Sequence, residues 1–421
     1  MGIGVNMNRA SQRKSQSALS IQGSKTMTED IPLILVVVAL AVLGLLMVYS
    51  ASTDFSLLAY DNPTYIFNKQ LLWMAIGIVV AFVVSRFDYH IWTKFALPVM
   101  AATIGLLVAV LINNEVRLGA VRSFFGGSVQ PSELAKLAIV IYLSVWMYSK
   151  KDILGNVQLG LTPLAVILGA VGGLIYIQPD LSATATIFIL GGLLFFLAGG
   201  ELRQIVLFLV VALIAGWLVV QFSDTGQQRL GPYLAGLKDP LDADYHVRRS
   251  LEAIVRGGFF GAGIGNAITK VTGLPVPPTD SIFAVVAEEL GLFGSIVLIG
   301  LYLTILWRGL RIAAKAPDMF GRLLASGLTF WIVIEAFINM AVMVGLLPFA
   351  GNALPFISAG GSNLLSSLTA IGILLSISRM PGKTVPVKDE QRRTSRASID
   401  LRRWDRRRRK SRPRRPAGNQ L

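Results

Sequence analysis

The chain has no cysteine, only two histidines and few charges: 15% of its 421 residues are Asp, Glu, Lys or Arg. Without cysteine there is no disulfide framework, and the isolated His90 and His246 make no His/Cys metal constellation. A soluble domain carries about 25% charged residues. The shortage here, beside 53% hydrophobic residues, excludes a soluble globular enzyme and a disordered chain. What the chain does have is apolar sequence gathered in long runs, with a mean hydropathy of +0.62. The net charge of +15 suggests nucleic acid until it is located. Residues 379–421 hold 16 Lys/Arg against 4 Asp/Glu, which supplies +12 and leaves +3 for the rest. Arg406 to Lys410 is an unbroken basic run followed by Pro413 and Pro416, with no base-reading element beside it. The tail therefore reads as a disordered anchor drawn to anionic lipid, and no nucleic-acid partner is expected.

A hydrocarbon core of about 30 Å needs roughly 20 apolar residues per helix. Ten runs qualify: 31–52, 68–85, 91–112, 132–149, 159–177, 181–198, 202–221, 281–306, 321–346 and 361–379. They lack the alternation of barrel strands, so the fold class expected is an all-α polytopic membrane protein of about ten transmembrane helices. Its domains would be an N-terminal tail (1–30), a membrane domain (31–380) and the basic tail (381–421). Thirty polar residues precede the first run, which argues for an uncleaved span over a signal peptide. Lys/Arg placement in the short loops puts Arg86, Lys94, Lys150, Lys151, Arg203, Arg308, Arg311, Lys315 and the tail on one side. That side is cytoplasmic by the positive-inside rule, and both termini share it. Residues 222–280 then form a large extracytoplasmic connection, too long for a plain linker. Within it Val247, Leu251, Ile254 and Val255 repeat at helical spacing, as in a short amphipathic helix lying in the interface.

Ionisable groups inside spans cost about 2.5–3.5 kcal/mol each, so each one needs a reason. Gln130-Pro131-Ser132-Glu133 opens the fourth run with Lys136 one turn deeper, where Glu133 and Lys136 can pair. Gln178-Pro179-Asp180 opens the sixth in the same style, Pro and acid both suiting a first helical turn. Thr279-Asp280 opens the eighth, and Asp280 is open to two readings, a helix cap or a catalytic acid. Glu288 lies about 80° round from Asp280 and could share a cavity with it, while Glu289 faces the other way. Helix capping and an internal ion pair would account for either Gln-Pro motif alone. Three acid-bearing helix starts on one face, with Lys136 and the arginines, describe an outward-facing polar cavity. Gly257-Gly258, Gly261, Gly263 and Gly265 fail the Walker pattern, because no strand precedes them and Lys270 is wrongly spaced. They read as tight packing in a re-entrant turn, so no organic cofactor is expected. Glu335 and Asn339, at i, i+4, read as a packing pair. An acidic Mg²⁺ site is not visible from spacing.

These motifs resemble the SEDS family of bacterial membrane proteins (shape, elongation, division and sporulation). The likeness covers about residues 31–380 and also rests on Tyr49-Ser50-Ala51-Ser52, Asp239-Pro240 and Leu274-Pro275 before Thr279-Asp280. Glu288-Glu289-Leu290-Gly291 and Leu354-Pro355-Phe356-Ile357-Ser358 with Gly360-Gly361-Ser362 complete the ordered set. The ending Gly372 to Arg379 and the basic tail are more similar to the division branch than to the elongation branch. Pro278, Ser281, Ala359 and Asn363 depart from the usual pattern, where His, Phe, Tyr and Ser are common. The resemblance implies a peptidoglycan glycosyltransferase that polymerises lipid II at the outer leaflet of the cytoplasmic membrane, at the septum, with inversion. It also implies a class B penicillin-binding protein as partner, among other division proteins. Asp280 is then the candidate general base. Lys136, Arg122, Arg248, Arg249 and Arg256 are candidates for the leaving diphosphate. Glu133 and Asp180 would orient Lys136 or the acceptor, with Glu288, Ser358 and Ser362 as further substrate contacts. A divalent cation such as Mg²⁺ could share the charge. A flippase for lipid-linked sugar is the rival reading, supported by the deeper Glu288, Glu289 and Glu335. A scaffold for the transpeptidase is the third.

Overall fold

The computed structural model describes residues 29–113 and 129–380, so Arg122 and the basic tail lie outside the described residues. Among these are twelve α-helices and no β-strand. Ten of the helices fall on the ten apolar runs. They are α1 (Ile31–Tyr60), α2 (Tyr65–Arg86), α3 (Ile91–Asn113), α4 (Pro131–Ser149), α5 (Thr162–Ile177), α6 (Leu181–Leu197) and α7 (Leu202–Phe222). Two further helices, α8 (Asp224–Gly236) and α9 (Tyr245–Gly257), interrupt the long connection before α10 (Ile282–Lys315), α11 (Met319–Met343) and α12 (Gly361–Arg379). Eight described helices are long and apolar enough to cross a membrane. Helix α6 is shorter at 17 residues, and α4 carries Glu133 and Lys136 in its first turns.

Helices α11 and α12 are the most enclosed, with α12 lying along α2 and α11 against α10. Helix α7 is the opposite case: only Gln204 and Phe208 are buried, and its Leu, Val and Trp217 face outward as lipid-facing residues do. Two polar levels bracket the apolar stretch. At one end Asp30 accepts from Leu33 N and holds Arg308 of α10 at 2.8 Å. At the other, Ser50 of α1 meets Glu289 of α10 at 2.5 Å. At 1.5 Å per residue these levels are about 30 Å apart along both helices, the thickness of a hydrocarbon core.

Helix α10 is not the single uninterrupted span expected from the eighth run. It breaks at Gly291 (φ +69°), which strands the carbonyls of Glu288 and Glu289 and the N–H groups of Leu292 and Phe293. At membrane depth each stranded group costs several kcal/mol. The glycine-rich turn supplies all four partners. Ala262 N and Gly263 N donate to the Glu288 and Glu289 carbonyls at 2.9 and 3.0 Å, and Leu292 N and Phe293 N donate to Gly258 and Phe259 oxygens at 3.0 and 3.1 Å. A Cβ on Gly261 (φ +81°) would stand 2.1 Å from the Glu289 oxygen, so only glycine admits this approach.

The amphipathic helix also differs from expectation. Helix α9 buries Val247, Ser250, Ala253 and Gly257, whereas Val255 of the expected apolar stripe is exposed. Its small residues bring its backbone against α10 at Ala287, so α9 packs on the bundle with its small face instead of floating in the interface on its large one.

Candidate functional site

The two Gln-Pro motifs converge. Pro131 starts α4, and the Ser132 hydroxyl and Gln130 amide both donate to Asp180 Oδ2 at 3.0 Å. The other oxygen of Asp180 accepts from Ser182 Oγ at 3.0 Å and Ala183 N at 3.1 Å, capping α6. Asp180 is therefore a cap and a hub at once; Pro179 lies just outside the helix it was expected to open. Gln130 N donates to Ser362 Oγ at 3.0 Å, which ties this corner to the start of α12.

One turn deeper, Lys136 lies between two carboxylates. Its Nζ is 2.9 Å from Glu133 Oε1 and also pairs with Glu335 of α11. Asn363 of α12 donates to the second oxygen of Glu133 at 2.9 Å. All three charged residues are at most 7% exposed. The i, i+3 pair is as expected, but Glu335 was read as a packing partner of Asn339 and instead belongs to this triad. Lys136 is thus engaged by two buried acids on two helices.

Asp280 sits on the loop before α10, half-buried. The N-cap of α10 is Ser281, whose side chain makes no cap bond. Three successive carbonyls of this loop are gripped by neighbours. Pro278 O accepts from Ala359 N at 2.8 Å, Thr279 O from Ser358 Oγ at 2.7 Å, and Asp280 O from Asn339 Nδ2 of α11 at 2.9 Å. Gln70 of α2 braces the opposing loop, donating to Ser358 O at 3.1 Å and accepting from Gly360 N at 3.2 Å. Val276 (φ +44°) and Phe356 (φ +68°) hold left-handed backbone that side-chain-bearing residues rarely adopt, and such strain persists only where neighbours over-determine it. Asn339 is one helical turn from Glu335, so the Asp280 loop and the Lys136 triad meet across α11. Sequence spacing could not show that convergence. All four departures lie here: Pro278 and Ala359 bond each other through the backbone, Ser281 is the N-cap of α10, and Asn363 holds Glu133.

Other candidates are engaged elsewhere. Glu288 does not share a cavity with Asp280; it turns back to accept from Ile268 N at 2.9 Å, from Thr269 N and from the Thr269 hydroxyl. Glu289 pairs with Lys270 at 2.9 Å, and Lys270 also donates to Ser50 Oγ and Gly265 O. Lys270, dismissed as a phosphate-loop lysine, is the cation that neutralises this corner. On α9, Arg249 binds Glu252 and the Thr272 carbonyl, Arg256 pairs with Glu252 at 2.9 Å, and Arg248 lies over the Tyr245 ring at 5.6 Å. Arg248 and Arg256 remain exposed. Ser358 and Ser362 spend their hydroxyls on the loop contacts above. A cavity of about 210 Å³ between α8, α9 and the turn after α11 is lined by Arg229, Tyr233, Asp244 and Phe349 and includes none of the candidates. No three His, Asp or Glu side chains converge as metal ligands among the described residues.

Apolar helices of membrane-spanning length around buried ion pairs define a polytopic helical membrane protein. The family model described as cell cycle protein, which joins FtsW, RodA and SpoVE, matches residues 31–382, and the chain belongs to that family. It is 39% identical over 354 residues to "Probable peptidoglycan glycosyltransferase FtsW" of Trichlorobacter lovleyi, covering 83% of this chain and 93% of that one. It is 35% identical over 362 residues to stage V sporulation protein E of Bacillus subtilis, covering 85% and 98%. Among solved structures it is similar to a chain from a peptidoglycan synthase complex that coordinates polymerization and crosslinking. There the TM-score is 0.69 at 26% identity, over 84% of this chain and 98% of that chain. RodA of Thermus thermophilus matches with a TM-score of 0.62 at 26% identity, over 84% and 97%.

Proposed function

We propose that this protein is a peptidoglycan glycosyltransferase that polymerises lipid II at the outer leaflet, with Asp280 as general base. The observation that carries the assignment is the clamped Asp280 loop, set one helical turn from the Lys136 triad in a family whose relatives bear that activity in their names. A polyprenyl-linked substrate stays in the bilayer, which suits a site at the loop end of the spans. In the reaction Asp280 takes the proton of the acceptor 4-hydroxyl as that oxygen bonds to the donor's anomeric carbon. The bond from that carbon to the polyprenyl diphosphate breaks, and the diphosphate leaves with the electron pair. One displacement inverts the α-linked donor to a β-1,4 product. Lys136 is already compensated, so the diphosphate's charge falls to the exposed Arg248 and Arg256, with Arg122 as a further candidate.

In this reading both termini lie in the cytoplasm, ten helices span the membrane, and the basic tail meets anionic lipid. The relatives named FtsW support a role in septal synthesis beside a single-span class B penicillin-binding protein. Against the flippase, Glu288, Glu289 and Glu335 are all committed to internal bonds. The test is polymerisation of purified lipid II by the full chain reconstituted with its transpeptidase. Polymer from wild type and none from folded Asp280→Asn or Asp280→Ala is expected. Undiminished polymer from the variants would remove Asp280 as base. No polymer from wild type, with lipid II crossing liposome bilayers, would favour the flippase.

A further inference from the structure

Three carbonyls fix the Asp280 loop, and their donors differ in kind. Two come from the facing 354–359 loop, which is itself a connection held by strained backbone. The third comes from Asn339, which is fully buried in α11, a helix with most of its residues enclosed. Asn339 Nδ2 gives one bond to Asp280 O at 2.9 Å and one to Asn352 O at 2.5 Å, so a single amide joins the 276–281 loop to the 350–360 loop. A buried amide in an apolar helix is costly unless bonded, and here both of its donor bonds go to site loops.

We propose that Asn339 is the positioning residue that sets where the Asp280 carboxylate stands; this rests on the glycosyl-transfer reading. A reacting group must be held within about 0.5 Å of its productive place, by neighbours that are themselves locked. Asn339 meets that condition because α11 is packed on several sides and anchored one turn deeper by the Glu335–Lys136 pair. It touches no substrate, so losing it misplaces the base without removing a binding contact.

The test compares Asn339→Leu, which keeps the branched shape but donates no hydrogen bond, with Asn339→Gln, which keeps the donor but fits worse. The full chain is reconstituted with its transpeptidase and labelled lipid II, beside wild type and Asp280→Asn. Each rate is divided by the folded fraction at the assay temperature, taken from a thermal scan. The expected result is a kcat for Asn339→Leu lower by about 10²-fold, with KM for lipid II little changed, and Asn339→Gln faster than Asn339→Leu. Asn339→Leu as fast as Asn339→Gln or faster would mean that packing alone matters, and would overturn the proposal. So would a loss confined to KM. If Asp280→Asn polymerises normally, the glycosyl-transfer reading of Asp280 falls first and the proposal with it. An inactive Asp280→Asn beside a fully active Asn339→Leu would sink only the proposal.

Discussion

Replacing Lys136 by Met keeps the length of the side chain and removes the one cation of the Glu133–Lys136–Glu335 triad. At 2.9 Å from Glu133 and an effective dielectric constant near 20, one such pair is attracted by about 6 kcal/mol. Desolvation of three buried charges offsets much of this. The larger effect is what remains, two buried carboxylates facing each other with Asn363 as a lone donor. Breaking a buried pair by removing one partner costs about 3–5 kcal/mol, and that is the expected loss for Lys136→Met. Adding Glu335→Gln should return part of the stability, since one uncompensated charge is then gone. Equilibrium unfolding of the four proteins of this double-mutant cycle in mixed micelles measures the coupling. A Lys136→Met cost below about 1 kcal/mol, or a Glu335→Gln effect that is the same on both backgrounds, would refute the triad as a coupled ion pair.

Two further tests address the ends of the bundle. Gly261→Ala places a Cβ 2.1 Å from the Glu289 carbonyl at a positive φ, so it should cost at least about 3 kcal/mol in strain and lost bonds; unchanged thermal unfolding would show that the turn does not cover the break at Gly291. At the end marked by Asp30 and Arg308, His90 bridges Asp88 and Asp318 at 2.7 Å each. Burial alone would lower the His90 pKa, but its bonds to the two carboxylates raise it overall. A raised folded pKa means that the bridge stabilises fully below the ordinary histidine range and is lost as pH rises through the folded value. Melting temperature should therefore decline from about pH 6.5 upward, and His90→Gln should flatten that slope; a wild-type curve parallel to the variant's would reject the bridge.

The apolar runs alone announced a helix at each of their ten positions, because hydrocarbon thickness and backbone hydrogen bonding leave an apolar run of this kind few other structures. Proline and acid at the start of α4, and the acid cap of α6, likewise announced those helices, since capping is local chemistry. Helix α8 was not foreseen: its residues are largely polar, carry Pro232 inside, and lack the apolar periodicity that betrays a helix. The break at Gly291 was invisible because a helix interrupted by one glycine has the same hydropathy as a whole one, and only the facing turn makes the interruption affordable. The buried face of α9 was misjudged for a related reason. Hydrophobicity ranks Val255 above Ala253, yet close backbone contact selects the smaller side chain. Motif spacing could pair Glu133 with Lys136 within one helix. It could not bring in Glu335, nor place Asn339 under Asp280, because those residues lie about 60 to 200 positions from their partners. Long-range convergence of this kind is set by how helices cross, and crossing depends on the packing of whole faces. The partners of Lys136, a buried ion pair drawn from two helices, were decided by tertiary structure alone.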